Sequence, residues 1–122
     1  MQRSLNVLKS PKNKGSRAER EVASLYRKYE IDPDAKRMPG SGAFTHLKGD
    51  LLKPNDYEWL DEVKNQERVQ LWSWWEQAVN QAKPNRTPVL HITSNHRPIL
   101  TVMRIEDYMN LRKEIKDLRE GI

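Results

Sequence analysis

Three stretches of the chain repeat apolar residues at the spacing of an amphipathic helix. The first follows Gly15-Ser16, stops at Ile31-Asp32-Pro33, and carries its apolar stripe at Ala18, Val22, Leu25, Tyr26 and Tyr29. The last runs from Ile105 to Leu118, with a rougher stripe at Ile105, Tyr108, Met109, Leu111, Arg112, Ile115 and Leu118. The pattern predicts helices that each bury one face.

The middle helical stretch, from about Leu71 to Ala82, contains three of the four tryptophans of the chain. Helical spacing places Trp72 and Trp75 on its inward face, together with Val79 and Ala82. Trp74 falls off this stripe and needs another apolar neighbour: a subunit interface, a stacked base or the edge of the sheet. We favour the interface, because interfaces are enriched in tryptophan.

Short alternating or β-branched runs between these helices predict four strands. A glycine- and serine-rich loop leads into a strand around Lys48 to Lys53, and Tyr57 to Lys64 returns after the turn "PND" to complete a hairpin. The runs "TPVLHITS" and "PILTVMRI" form a second pair. The order helix, hairpin, helix, hairpin, helix predicts an α/β fold with a mixed β-sheet flanked by helices.

Basic residues are concentrated at the start of the chain. Residues 1–20 hold six of the 22 lysines and arginines and one of the 17 acids, so the remainder carries sixteen of each. We predict a flexible basic N-terminal arm over residues 1–14 and a single domain over residues 15–122. Such an arm favours nucleic acid as partner, through counterion release, and a solvated tail is the alternative.

Several classes of protein are disfavoured by what the sequence lacks. It contains no cysteine, no apolar run long enough for a signal peptide and no span of membrane length, so we expect a soluble cytoplasmic protein without a membrane partner. No phosphate-binding loop or dinucleotide fingerprint is present, so no nucleotide cofactor is expected. The three histidines lack paired metal spacing; His91 is expected to be structural, His96 to lie in a turn and His46 to reach DNA.

One pair of carboxylates is predicted to meet in the first hairpin. The midpoint between Asp50 and Glu62 falls in its turn, so the two side chains lie nearly opposite each other, with Cβ atoms about 4.5 to 5.5 Å apart. Carboxylates this close repel unless a cation lies between them. Oxygen ligands without cysteine favour magnesium (Mg2+), with manganese (Mn2+) as a substitute, over zinc.

Lys64 lies two residues beyond Glu62 and therefore on the same strand face. A metal with an ammonium group beside it can bind a phosphodiester, lower the pKa of a metal-bound water and stabilise the pentacovalent transition state. Gln66 is either a phosphate contact on this face or an ordinary surface residue. A surface salt bridge is the plain alternative, since an acid-x-lysine triplet also occurs at Glu114-Ile115-Lys116.

Together with "KGSRAERE" (Lys14 to Glu21), Asp50 and Glu62-Val63-Lys64 resemble the PD-(D/E)xK nuclease superfamily, and especially archaeal-type Holliday junction resolvases. The resemblance implies a restriction-endonuclease-like fold and a metal-dependent endonuclease that resolves four-way junctions in branched DNA. It also implies a homodimer, since paired symmetric nicks need two identical sites. Glu19 corresponds to the helical active-site acid, and the Val63 carbonyl is expected to join Glu19, Asp50 and Glu62 as a metal ligand.

The same resemblance extends to the glycine loop "RMPGSG", in which Arg37 and Ser41 match an arginine and a serine of the family. Ser41 therefore joins the expected catalytic set of Glu19, Asp50, Glu62 and Lys64. Contacts that follow the DNA backbone without reading bases are predicted for Lys14, Arg17, Arg20, Arg37 and Gln66.

Two departures from the family pattern are "GD" in place of proline or valine before the aspartate, and a longer loop before Asp50. The second departure leaves the substrate preference open. Two alternatives remain: another PD-(D/E)xK nuclease that acts on flaps or duplex ends, and a non-catalytic DNA-binding module whose acids form salt bridges.

Overall fold

The computed structural model describes residues 11–40 and 47–121. In chain order these residues form α1 (Pro11–Lys28), β1 (Lys36–Arg37), β2 (Leu51–Leu52), β3 (Trp59–Asn65), α2 (Leu71–Ala82), β4 (Thr87–Thr93), β5 (Leu100–Val102) and α3 (Ile105–Arg119). No helix in this part of the chain is long and apolar enough to cross a bilayer.

The main sheet has the strand order β3-β4-β5. β3 and β4 are parallel, with Glu62 opposite Leu90 and Val63 opposite His91, while β4 and β5 are antiparallel. Two parallel neighbours need a crossover connection, and α2 supplies it. The mixed sheet flanked by helices that the sequence predicts is therefore confirmed.

The predicted hairpin between the first two long strands is wrong. β2 pairs instead with β1, with Lys36 opposite Leu52 and Arg37 opposite Leu51. The Met38 N–H extends this pairing by donating to the Asp50 carbonyl at 2.9 Å. Two residues are too few to show strand alternation, so β1 cannot be recognised from the pattern of the sequence.

Helix α1 covers one face of β3. It begins at Pro11, earlier than the predicted start at Ser16. Ala18, Val22 and Ala23 of α1 pack against Leu51 of β2 and Val63 of β3 to form a buried cluster. Because strand side chains alternate, the even-numbered residues of β3, among them Glu62 and Lys64, point to the opposite face.

Helix α2 has the predicted bounds, but it buries a different face. Trp74 is 6% exposed, with Ala78 and Ala82 buried along the same stripe, whereas Trp72 is 73% exposed. The small side chains of the two alanines suit a helix that lies close against the sheet. The interface role predicted for Trp74 is therefore wrong, because Trp74 is part of the core.

Helix α3 also has nearly the predicted bounds, but its apolar stripe is not buried. The side chains of Ile105, Tyr108, Met109, Ile115 and Leu118 are between 44% and 78% exposed. Leu111 is half-buried and lines a shallow cavity with Met103 and Trp59. The helix leaves the sheet after β5, so its stripe faces outward within the described part of the chain.

Two neighbouring tryptophans test the orientation of α2. We expect Trp74→Ala to lower the free energy of unfolding by about 3 to 5 kcal/mol, because it opens a cavity against the sheet. Trp72→Ala should change it by about 0.5 kcal/mol or less, because that side chain is already in solvent. Urea unfolding of both variants measures the difference, and equal losses would contradict the buried stripe at Trp74, Ala78 and Ala82.

Candidate active site

Asp50 lies against the edge of β3 that carries no paired strand in the described part of the chain, and both its backbone and its side chain form hydrogen bonds there. Its backbone N–H donates to the Asp61 carbonyl at 2.8 Å, and its Oδ2 accepts a hydrogen bond from the Val63 N–H at 2.8 Å. These two partners flank Glu62 along the strand. The predicted proximity of Asp50 and Glu62 is therefore confirmed, although it arises from an edge contact and not from a hairpin.

Gly49 allows this close approach. Its backbone φ is +94°, a conformation that residues with side chains rarely adopt. In addition, a Cβ at this position would lie 3.1 Å from the Leu60 Cγ and 3.3 Å from the Asp61 carbonyl oxygen. A proline or valine could not occupy this backbone conformation. The glycine of "GD", a departure from the family pattern, is thus part of how this chain places its aspartate.

Glu62 is 2% exposed and shares its surroundings with Asp50. Burial, and then the negative charge of Asp50, raise the pKa of Glu62 to about 8, while the nearby Lys64 opposes the shift. The pKa of Asp50 is also raised, by burial first, although the hydrogen bond from Val63 lowers it. Two carboxyl groups that both resist ionisation mark a place where a cation would be strongly favoured.

Glu19 approaches the same cluster from α1. Its Oε1 lies 2.9 Å from the Nε of Arg37, so the predicted helical acid and the predicted loop arginine form an ion pair. Burial raises the pKa of Glu19, the hydrogen bond from Arg37 lowers it, and the charge of Asp50 raises it again. The charges of Asp50 and Lys64 both act on the pKa of Glu19, so Glu19 lies near these two side chains.

No group of three or more His, Cys, Asp or Glu side chains in residues 11–40 and 47–121 is arranged as a ready metal site. Glu19 is turned towards Arg37, and Asp50 accepts from Val63. The donor set nevertheless fits a hard divalent cation, since it consists of carboxylate oxygens with raised pKa values. The Val63 carbonyl points to the same open edge as its N–H, because both groups of a strand residue face one side.

The opposite face of β3 holds a buried ionic network that the sequence did not reveal. Lys53 is fully buried, and its Nζ lies 2.7 Å from both Asp61 and Asp56. Asp61 also accepts from the Tyr26 hydroxyl at 2.6 Å and lies 2.7 Å from the His91 Nε2. His91 is thus structural, as predicted. No local pattern marks Lys53, because its role depends on partners distant in sequence.

This network fixes the spacing between β2 and β3. Lys53 follows β2 directly, and Asp61 precedes Glu62, so their ion pair ties the two segments that carry the site. Burial alone would raise the pKa of Asp61, but the hydrogen bond from His91 and the charge of Lys53 hold it below the ordinary value. Asp61 is therefore a charged structural anchor, whereas its neighbour Glu62 resists ionisation.

The remaining predicted residues are scattered around the cluster. Lys14 is largely buried and pairs with Glu67 at 3.9 Å, and its carbonyl accepts from Asn65. Arg17 and Arg20 are exposed on α1, and Gln66 is exposed just after β3. Ser41 and His46 lie outside the described residues. The DNA-binding and catalytic roles assigned to all of these residues stay predictions.

The mixed sheet with flanking helices and the acidic edge site define a restriction-endonuclease-like α/β protein. The chain belongs to the family described as "Phage putative PDDEXK endonuclease", whose model matches residues 10–120. No curated protein and no solved structure matches significantly. The match supports membership of the PD-(D/E)xK nuclease superfamily, whose members generally use divalent metal ions, and not archaeal-type Holliday junction resolvases in particular.

The raised pKa of Glu62 predicts how pH acts on the metal-free protein. The pKa rises from 4.5 to about 8 on folding, so the folded chain keeps a proton that the unfolded chain releases. The resulting stability is complete below pH 4.5 and is lost as pH rises through about 8. Because Glu62→Gln cannot ionise, this variant should lose less stability between about pH 5 and about pH 9 than the parent protein.

Urea unfolding in a chelator at both pH values measures this difference, with Glu114→Gln as a control for an exposed glutamate. Parallel losses in the parent protein and Glu62→Gln would contradict the electrostatic description of the site.

Proposed function

We propose that this protein is a magnesium-dependent, structure-selective endonuclease that resolves four-way junctions in branched DNA by paired symmetric phosphodiester hydrolysis. The observation that carries the proposal is the position of Asp50, Glu62 and Lys64 at one open strand edge. Membership of a PD-(D/E)xK endonuclease family supports the nuclease chemistry. The preference for junctions rests on the sequence resemblance to the archaeal-type resolvases.

Within this proposal, Asp50, Glu62 and the Val63 carbonyl hold the metal, and Glu19 joins them from α1. The metal ion, Mg2+ or its substitute Mn2+, supplies a Lewis acid and a water of lowered pKa. Lys64 neutralises phosphate charge or orients the attacking water, and its effect on the pKa of Glu62 supports this proximity. Arg37 holds the Glu19 carboxylate in place across a distance of 2.9 Å.

The proposed homodimer gives two identical sites, as two opposed nicks require. The exposed apolar stripe of α3 is the surface that best suits a second copy of the chain. The first turn of α3 carries Glu106 and Asp107, and its last turn carries Lys116 and Arg119. Two α3 helices packed antiparallel would bring these opposite charges together around the apolar residues.

We expect the parent protein to be a dimer in solution and the double variant Ile115→Glu, Leu118→Glu to be a folded monomer, since each charge would have to enter the apolar contact. Sedimentation velocity measures the masses, with circular dichroism as the check on folding. Trp72→Glu is the matched control: it also places a charge at an exposed apolar residue, but away from α3. Dissociation by the control alone would assign the interface to α2.

Two alternatives compete with junction resolution. Another nuclease on this fold would act on flaps or duplex ends, and a silent DNA-binding module would not cut at all. Junction, flap and linear duplex substrates assayed side by side with magnesium and with a chelator separate the three. Paired symmetric nicks on the junction support resolution, flap or duplex cleavage supports the first alternative, and binding without cleavage supports the second.

Variants of the site test the enzymatic assignment. We expect Glu62→Gln and Lys64→Ala each to slow cleavage by about 10²-fold or more, because each removes an electrostatic contact to the reacting phosphate or its metal. Both variants should still bind DNA. The matched controls are Glu114→Gln, which alters the other acid-x-lysine triplet of the chain, and Lys28→Ala, both at exposed residues outside the site. Cleavage at the parental rate by Glu62→Gln would contradict the assignment.

A further inference from the structure

A groove of about 540 Å³ lies at the carboxyl ends of the parallel strands β3 and β4. Its floor includes Asn65 and Thr93, the last residues of these strands. One wall is α1, and the other is the connection between β4 and β5, residues 94–99. In open α/β sheets, the carboxyl ends of the strands are where ligands characteristically bind.

The groove carries more positive than negative charge. Arg17 of α1 and Arg97 of the β4–β5 connection both line it, and Glu21 is the acid among its lining residues. Neither arginine takes part in an ion pair within the described part of the chain. Two unpaired guanidinium groups on facing walls suit a phosphate, which they can contact through several hydrogen bonds.

The turn that carries Arg97 is held in place by its own hydrogen bonds. The Arg97 N–H donates to the Ser94 carbonyl at 3.2 Å, and the Thr93 hydroxyl donates to the Arg97 carbonyl at 3.0 Å. The Asn95 N–H donates to the Glu67 carboxylate at 2.9 Å. The backbone at Arg97 is therefore fixed relative to β4, which lowers the ordering cost of binding a ligand there.

The groove and the candidate active site lie on two sides of the same helix and strand. Lys64 and Asn65 are consecutive in β3 and point to opposite faces. Arg17 and Glu19 are about 200° apart around α1, so roughly one helix diameter, about 10 to 12 Å, separates the two regions. One phosphate cannot contact both. At about 3.4 Å per base pair, this distance corresponds to about three base pairs of duplex.

We infer that this groove binds the DNA backbone beside the cut, about three base pairs from the scissile phosphate, through Arg17 and Arg97. The inference rests on the proposed nuclease function and adds Arg97 and the β4–β5 connection to the DNA-contacting surface. Because only backbone phosphates are contacted, the groove contributes affinity that is independent of base sequence.

Junction binding by fluorescence anisotropy, in a chelator and at several salt concentrations, tests the inference. Arg97→Ala and Arg17→Ala should each weaken binding by about tenfold and each reduce the slope of log affinity against log salt by about 1. Glu21→Gln should have the opposite effect and tighten binding, because it removes the one acid from the lining. Lys28→Ala, an equal loss of charge at the other, exposed end of α1, should change neither quantity.

The outcomes separate the groove from the proposed function. If the parent protein binds and cuts DNA while Arg97→Ala and Glu21→Gln bind as it does, the groove assignment is overturned and the nuclease proposal stands. If the parent protein neither binds nor cuts DNA, both fail. If inorganic phosphate binds the parent protein at matched ionic strength and Arg97→Ala abolishes that binding but leaves junction affinity and its salt slope unchanged, the groove is a site for a free anion and the assignment to DNA is overturned.

Discussion

Two hydrogen bonds across the free edge of β3 hold Asp50, one through its backbone N–H and one through its side chain. The carboxylate of Glu62 lies between the two strand residues that make these bonds. Without this edge contact, the aspartate would sit in a loop with no fixed relation to the strand. The site therefore depends on β3 having no strand paired to this edge within the described residues, which leaves the edge to Asp50.

Two neighbouring acids on β3, Asp61 and Glu62, point to opposite faces of the strand. Asp61 belongs to the structural ionic network, and Glu62 belongs to the candidate active site. Asp61 faces Lys53 and His91. The hydrogen bond from His91 and the charge of Lys53 keep the pKa of Asp61 below its ordinary value despite burial. Glu62 faces the other way, towards Asp50, and its pKa rises to about 8. The different pKa values of Asp61 and Glu62 follow from strand alternation, which points the two side chains to opposite faces, together with the charges nearest to each side chain. The buried ion pair ties Lys53 to β3, and the two carboxyl groups on the other face, whose pKa values are both raised, would be stabilised by a bound cation.

Periodicity predicted what depends on local sequence, namely the helices, the strands β3 and β4, and the shared face of Glu62 and Lys64. It failed where long-range packing decides. The choice between Trp74 and Trp72 as the buried residue depends on how α2 packs on the sheet. The apolar pattern of α3 does not reveal that none of the described residues outside the helix covers its stripe. The ionic role of Lys53 depends on tertiary contacts alone. The sequence predicts Asp50 near Glu62 through an incorrect pairing, and the structure brings the two acids together through an edge contact instead.

The central claim is that Asp50 and Glu62 form a divalent cation site at the edge of β3. Anomalous diffraction from crystals grown with manganese tests it most directly. The account predicts a strong peak about 2.0 to 2.6 Å from an oxygen of each carboxylate, with the Val63 carbonyl turned towards the ion. Well-ordered Asp50 and Glu62 side chains without such a peak, at a manganese concentration that supports DNA cleavage, would contradict it.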